Sequence, residues 1–399
     1  MVTLAPASAP AAASLTDWTT SLLASLEAAG AGVSPRQHLA RGRLADLPAP
    51  GRRQEDWRFT DTQPLTATAP RLATAGPDPL AGRTLPAGVA LLSPAEIEAR
   101  IGGPLQACGA ADSWLAHLHA ALPERLVALR VQGVVADPLE LVLEAPAQEG
   151  LLPLRLLLLL EEGAELELLQ VHTAAGPGAT SVVVEAHLGR GARLRHGLLA
   201  CGAEPASLLA QCCYTQEPDS ELRFVSACGG WGLLRLEPRV NQLEGAAHTE
   251  LQGLHLVNHR QIADQHSQVI FSGPDGRLQQ VHKAVADGQG RSVFNGAVRV
   301  PRAAQRTDAS QLSRNLLLSD RARIDTKPEL EIVADDVRCA HGATVSRLQD
   351  DEMFYLQSRG IASAQAARLL QRAFCEEVLR ELPAAAAVLH PLDRLLEQA

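Results

Sequence analysis

GAELELLQVHTAAGPGATSVVVEAHLGRGARLRHGLLACGAEPASLLAQCCYTQEPDSELR, Gly163–Arg223, carries one short pattern three times. Gly163-Ala-Glu-Leu166-Glu returns as Gly191-Ala-Arg-Leu194-Arg and again as Asp219-Ser-Glu-Leu222-Arg, a spacing of 28 residues. Leu278, in Gly276-Arg-Leu-Gln-Gln, stands two further periods on, and the register between them loosens around Gly245 to Leu251. Each unit is a tight turn followed by a strand of alternating side chains. Self-similarity at this period marks a solenoid, because one unit cannot bury its own apolar face and must stack on its neighbours. With about two strands per repeat, the fold expected is mainly β, a right-handed parallel β-helix. Periodicity alone fits an antiparallel sandwich equally well, since that fold also sets strands between polar turns.

Working outward, period two begins near Arg125 and continues through Leu139, Leu141, Leu143, Leu166 and Leu168. Before it the pattern is helical. Asp17 can cap a helix carrying Leu22, Leu23 and Leu26, and Ser113 one carrying Leu115, Leu118 and Leu122. Proline and glycine from Pro48 to Gly88 break any long element between them. After Gly360 a second helical segment opens, with Ser363 as its cap and one apolar stripe of Ala366, Leu370, Phe374 and Val378. Pro383 ends it, and a short helix from Pro391 to Gln398 carries Leu392, Leu395 and Leu396. The expected division is a helical domain at 1–124 led by a disordered tail, a β-helix at 125–360, and a helical segment at 361–399.

With 399 residues the chain can bury a large core, and at 3% aromatic content that core must be aliphatic. A net charge of -9, with no basic block, argues against a nucleic-acid surface. Lys283 and Lys327 are the only lysines among otherwise arginine cations. Seven cysteines (Cys108, Cys201, Cys212, Cys213, Cys228, Cys339 and Cys375), odd in number and without a CxxC pair, imply a reducing compartment. The longest apolar run, Leu151 to Leu160, is too short to cross a bilayer and contains Pro153 and Arg155. No signal-like segment opens the chain, so the expectation is a soluble cytoplasmic protein with no membrane partner.

The densest chemistry lies in DTKPELEIVADDVRCAHGATVSRLQDDEMFYLQSRG, Asp325–Gly360. Leu330, Ile332 and Ala334 alternate with polar or outward residues as in a half-buried strand. Cys339 and His341, two apart, leave one face of a strand and form a candidate ligand pair for iron, with Gly342 permitting a turn or a close approach. A lone C-x-H lacks the four ligands of a closed site, and its ordinary reading is a buried structural cysteine beside a hydrogen-bonded histidine.

This stretch resembles the carboxy-terminal signature of the SufB/SufD family, scaffold subunits of the sulfur-mobilisation machinery that assembles iron–sulfur clusters. The signature positions include Lys327, Gly342, Arg359 and Gly360. PAPGRRQEDWRFTD, Pro48–Asp61, is similar to the family's amino-terminal Arg, Glu, Trp and Thr pattern. SufB-like chains carry His-Glu-Ala-Thr where this chain reads His341, Gly342, Ala343 and Thr344, which sets it on the SufD branch and removes a glutamate from the site. The resemblance implies a β-helix flanked by helices, with no catalysis of its own. It implies pairing with a SufB-like paralogue, whose cysteine would join His341 and, with less weight, Cys339 at a transient iron–sulfur cluster; none would be held stably. It also implies that the carboxy-terminal helical segment, with Ala366, Leu370, Phe374 and Val378, docks a SufC-like ABC-type ATPase.

The remaining candidates are weaker. His248, His255, His259, His266 and His282 follow no metal motif and read as surface or turn residues. Cys212 and Cys213 must point to opposite faces of a strand, while Cys201 and Cys228 read as core fillers. Asp335, Asp336, Asp350, Asp351 and Glu352 read as solvated turn carboxylates. Phosphate-binding GxxxxGKS/T, GxSxG and HExxH motifs are missing, so any ATP dependence must come from a partner. The rivals are a β-helix carbohydrate enzyme, which would need aromatic platforms that two tyrosines and four dispersed tryptophans do not supply, and a homodimeric scaffold.

Overall fold

Three residues before each member of the leucine series, the backbone enters the left-handed region. This happens at Gly163, Gly191, Asp219, Ala246, Asp275 and Arg306, with φ between 51 and 66°. At each of these turns the N–H donates to a carbonyl of the following coil, from Gly163 to Arg190 (2.9 Å) through Arg306 to Asp336 (2.6 Å). That stacking offsets the strain at the four residues that are not glycine.

The computed structural model describes residues 14–28, 33–73, 79–80, 82–123, 125–145 and 149–398. The expected disordered tail at 1–13 lies outside the described residues. Between its turns the chain alternates between two sheets. One has nine strands: Val89–Leu91, Arg125–Val131, Leu151–Leu160, Ala179–Leu188, Ser207–Gln216, Leu233–Gln242, Ile262–Phe271, Arg291–Val300 and Arg323–Ile332. The other has eight: Leu139–Glu144, Glu165–Thr173, Arg193–Cys201, Glu221–Gly229, His248–Val257, Arg277–Ala286, Asp308–Leu317 and Arg338–Ser346. Every named pairing is parallel except that of Val89–Leu91 with Arg125–Val131. The sandwich alternative is thereby excluded, and the fold is a parallel β-solenoid.

Register turns the leucine repeat into one column: Leu166, Leu194, Leu222, Thr249, Leu278, Ala309 and Cys339. These residues fill the lumen with inward side chains of the opposite sheet such as Leu156, Val184 and Leu236. Each buried leucine contributes about 1.5–3 kcal/mol.

Both outer faces are also covered. Helices Leu15–Ala28, Pro35–Asp46 and Trp114–Ala121 pack on the nine-stranded sheet at Leu151, Leu209, Leu233 and Ile262. Helices Ser363–Leu379 and Pro391–Gln398 pack on the eight-stranded sheet at Val171, Leu199, Val225, Leu254 and Val285. Ser113 caps its helix as expected, accepting from the Ala116 N–H at 3.1 Å. Asp17 instead stands three residues inside a box with Ser14, whose hydroxyl accepts from the Asp17 N–H at 3.1 Å. Ser363 is the first helical residue rather than the cap, which is Ala362. The carboxy-terminal helices begin before Gly360, because Asp350–Gln357 is helical with Asp350, Asp351 and Glu352 in its first turn, where the helix dipole favours carboxylates.

Candidate functional site

The solenoid ends in an open coil. Arg323–Ile332 and Arg338–Ser346 close the two sheets, and each pairs with a named strand on one side only. Ile332, Val333 and Val345 lie exposed there, at 41%, 57% and 46%. Cys339 continues the lumen column beyond Ala309 and packs half-buried against the main core. His341 continues the next inward column beyond buried Gln311 and is exposed at the mouth. The pair thus shares one face, as the spacing predicts, and that face is the lumen. Burial pushes the Cys339 thiol up, more than the hydrogen bond from the Ala309 backbone pulls it down. Gly342 lies inside the strand rather than at a turn, with room for a Cβ at 3.4 Å from Leu312. Among the described residues no group of three or more His, Cys, Asp or Glu side chains converges. A thiol and an imidazole are two of the four ligands that a closed site needs.

Behind the mouth the lumen changes character. Aliphatic side chains predominate in the earlier coils, whereas the later ones are richer in hydrogen-bonded polar side chains. Gln311 donates to Gln280 (2.8 Å), which donates to Ser267 (2.6 Å), and Thr326 bonds Ser313 (2.9 Å). His255 lies 3.1 Å from the Ser292 hydroxyl, its ring edge-on to His282 at 4.7 Å, and His282 stacks on Phe294 at 4.3 Å. Deeper still, His196 bridges the Tyr214 hydroxyl (2.8 Å) and Gln170 (2.6 Å). Burial pushes His255 and His172 down to about 4. Burial, with repulsion from His172, takes His196 to about 3. All are neutral near pH 7. The surface reading of these histidines is corrected for His255 and His282, which face inward, and for His266, which lies 3.0 Å from buried Asp264. It holds for His259, at a turn with φ 48°. Cys212 and Cys213 do face opposite ways, one into the lumen and one onto Leu105 and Cys108.

The two segments that carry the family resemblance meet in space. Lys327 pairs with both Glu55 and Glu329. Around that contact, Phe59, His266, Phe294, Asp325 and Thr326 line a cavity of about 300 Å³. Trp57 covers Arg235 at 4.3 Å, and the buried Arg235 guanidinium reaches the Asp56 carbonyl (2.8 Å), Glu237 (2.8 Å) and Asp264 (2.6 Å). Thr60 donates to the same Asp264 carboxylate. Burial alone would raise that carboxyl; attraction to Arg235 and His266 and the bonds from His266 and Thr60 outweigh it and hold it well below its usual range. Sequence reading missed this network, although Arg235 and Glu237 alternating inside an apolar strand were a visible signal.

The carboxy-terminal stripe meets the chain itself. Ala366 and Val378 are fully buried, while Leu370 and Phe374 are half-buried. Lys283 fastens this helix, donating to the Phe374 carbonyl (3.0 Å) and Glu377 (2.5 Å) beneath the Phe374 ring. Partner docking through Ala366 and Val378 is therefore corrected: both are buried within this chain, Val378 against the eight-stranded sheet. The exposed large apolar groups of this region are Phe354 (72%), Tyr355 (56%), Leu369 (43%) and Val388 (77%). Arg359 stacks on Tyr355 at 4.6 Å, and Gly360, with φ 84°, lets the chain leave the helix Asp350–Gln357.

The class the fold defines is a parallel β-solenoid clad in helices, with an open terminal coil that bears a cysteine and a histidine. Residues 143–374 match the family model described as SUF system FeS cluster assembly, SufBD core domain, and the chain belongs to this SufBD family. It is 38% identical over 241 residues to the iron–sulfur cluster assembly SufBD family protein slr0076 of Synechocystis sp., covering 58% of this chain and 53% of that protein. Identity is likewise 38% over 233 residues to the chloroplastic protein ABCI7 of Arabidopsis thaliana, covering 57% and 49%. With the iron–sulfur cluster assembly protein SufD of Escherichia coli it is 47% over 103 residues, covering 26% and 24%. The chain spans about half the length of the first two relatives. No helix among the described residues is long and apolar enough to cross a membrane.

Proposed function

We propose that this chain is a SufD-type, noncatalytic scaffold subunit. It pairs through its open coil with a SufB-like paralogue and docks a SufC-like ATPase on its carboxy-terminal helices. His341, with Cys339 beside it, contributes to a transient iron–sulfur cluster at the junction, and the partner supplies the principal thiolate. The cluster is cargo, not a resident cofactor.

The observation that carries this reading is the open coil. Its strand edges leave backbone donors and acceptors unpaired and its apolar side chains in water, a liability that a second sheet relieves. An incomplete ligand pair at that mouth suits a site shared between two chains. Neutral imidazole binds iron through nitrogen, and the raised thiol of Cys339 becomes a good ligand once a metal displaces its proton. For the ATPase, Phe354, Tyr355 and Leu369 offer the apolar surface that Ala366 and Val378 do not.

Co-expression with the paralogue and the ATPase tests this directly. A three-component complex that survives gel filtration, and that loses the paralogue when Val333 and Val345 become Glu, is expected. A chain that hydrolyses ATP alone, or that pairs only with itself through the same coil, would overturn the reading.

A further inference from the structure

The solenoid pairs many of its exposed arginines with carboxylates one rung away, as Arg193 with Glu165 (2.8 Å), Arg195 with Glu167 (3.1 Å) and Arg299 with Glu331 (3.2 Å). One outward column departs from this. It runs Leu233, Ile262, Arg291 and Arg323. Arg291 and Arg323 thus stand on adjacent strands, about 4.8 Å apart in the ladder. Asp325 neutralises Arg291 at 2.7 Å. Arg323, Arg321 two residues before it, and Arg260 in the turn before Ile262 are exposed and form no ion pair among the described residues.

All three arginines line one cleft of about 920 Å³ between the turns and the amino-terminal segment. Asp320, on the same wall, is turned to Arg347 at 2.6 Å, and Asp61 lies by Arg52 at 4.0 Å. Three positive charges therefore gather without an ion-pair partner among the described residues, in a chain of net charge -9, with the Glu204 carboxylate elsewhere on the cleft wall. The fold assembles them from positions 61 residues apart, which is why the sequence shows no basic block. Ile262 and Gly232 also line the cleft, as do Glu204 and Pro205 from an earlier coil.

We propose that this cleft binds a nucleotide-type organic phosphate, with its phosphate on Arg260, Arg321 and Arg323. Guanidinium forks match phosphate oxygens bidentately, and the volume falls within the roughly 300–1,000 Å³ of small-molecule sites. Glu204 accepts from hydroxyl or amino groups and repels a second anion, so the ligand carries charge at one end only. This selects an organic phosphate over an acidic peptide, whose charge is spread along its length. The cleft lies on the outer wall, where Arg323 opens the edge strand Arg323–Ile332, whereas Cys339 and His341 face the lumen, and its ligand is independent of the assembly role.

Isothermal titration of the full chain with ADP, pyrophosphate and a poly-glutamate peptide is the test. Saturable one-site binding of ADP is expected, weakened about tenfold or more by Arg321→Ala with Arg323→Ala. Glu204→Ala should weaken ADP and strengthen pyrophosphate, because the carboxylate that repels a second anion is gone. If the double variant shifts the melting midpoint, Arg260→Gln, in a different coil, gives the same reading. The proposal fails if ADP binding is absent or indifferent to these arginines. It fails equally if pyrophosphate binds as tightly as ADP, or if the peptide binds and ADP does not.

Discussion

Replacing Asp264 by Asn removes the charge that holds Arg235 beneath the segment Pro48–Asp61. Both side chains are buried, at 0% and 1% exposure, and joined at 2.6 Å. Stripping one partner from a buried pair costs about 3–5 kcal/mol, because an uncompensated charge stays behind. Glu237 still faces Arg235 at 2.8 Å, so the expected loss is at the lower end, about 3 kcal/mol. The same carboxylate also accepts from Thr60, so the loss falls on the attachment of this segment. Trypsin sites at Arg52, Arg53 and Arg58 make its release measurable. If cleavage follows the opening equilibrium, about 3 kcal/mol corresponds to roughly a hundredfold faster cutting there. Asp325→Asn is the control, since its pair with Arg291 is about a quarter exposed on each side and worth about 1 kcal/mol or less. Cleavage rates and urea midpoints that coincide for the two variants would refute the reasoning.

The lumen column predicts that Leu194→Asp costs several kcal/mol, whereas Arg195→Asp, on the opposite face, costs about 1 kcal/mol or less; equal urea midpoints would count against the column. The inward histidines make stability fall on acidification. Their folded values, about 4 for His172 and His255 and about 3 for His196, lie below the unfolded value near 6.5. Stability is full above pH 6.5 and drains toward pH 3, so the melting temperature of the wild-type chain should drop through pH 6 to 4, before most carboxylates protonate, and a flat profile there would contradict their burial. On the carboxy-terminal helix, Val378→Asp should lower stability by several kcal/mol, whereas Phe354→Asp should leave the melting curve unchanged and weaken capture of the ATPase in a pull-down. The reverse pattern would return docking to the inner stripe.

The solenoid was legible because coil after coil repeats a left-handed turn three residues before an inward residue, which is leucine at 166, 194, 222 and 278. The repeat blurred at Gly245 to Leu251 for a physical reason. Thr249 takes the column position there, and its hydroxyl donates to Gln216 (2.6 Å) and accepts from Gln242 (2.9 Å) inside the lumen, so a count of leucines could not find it. The shared face of Cys339 and His341 followed from strand alternation. Which face it was did not, because that depends on pairing with Ala309 and Gln311. An apolar stripe likewise says that Val378 is covered, not by what; the residues it packs among, such as Leu254 and Val285, come from the solenoid coils. The Arg235 network joins residues 204 positions apart at Thr60 and Asp264, beyond any local pattern.

The most direct test of the account is the iron and sulfide content of the anaerobically purified complex, wild type against His341→Ala, with visible absorbance and gel filtration on the same samples. Imidazole ligates iron and a methyl group does not. The account predicts that the His341→Ala complex assembles at full size but carries markedly less cluster, with Cys339→Ser showing the smaller loss. A His341→Ala complex with undiminished iron, sulfide and absorbance would contradict it.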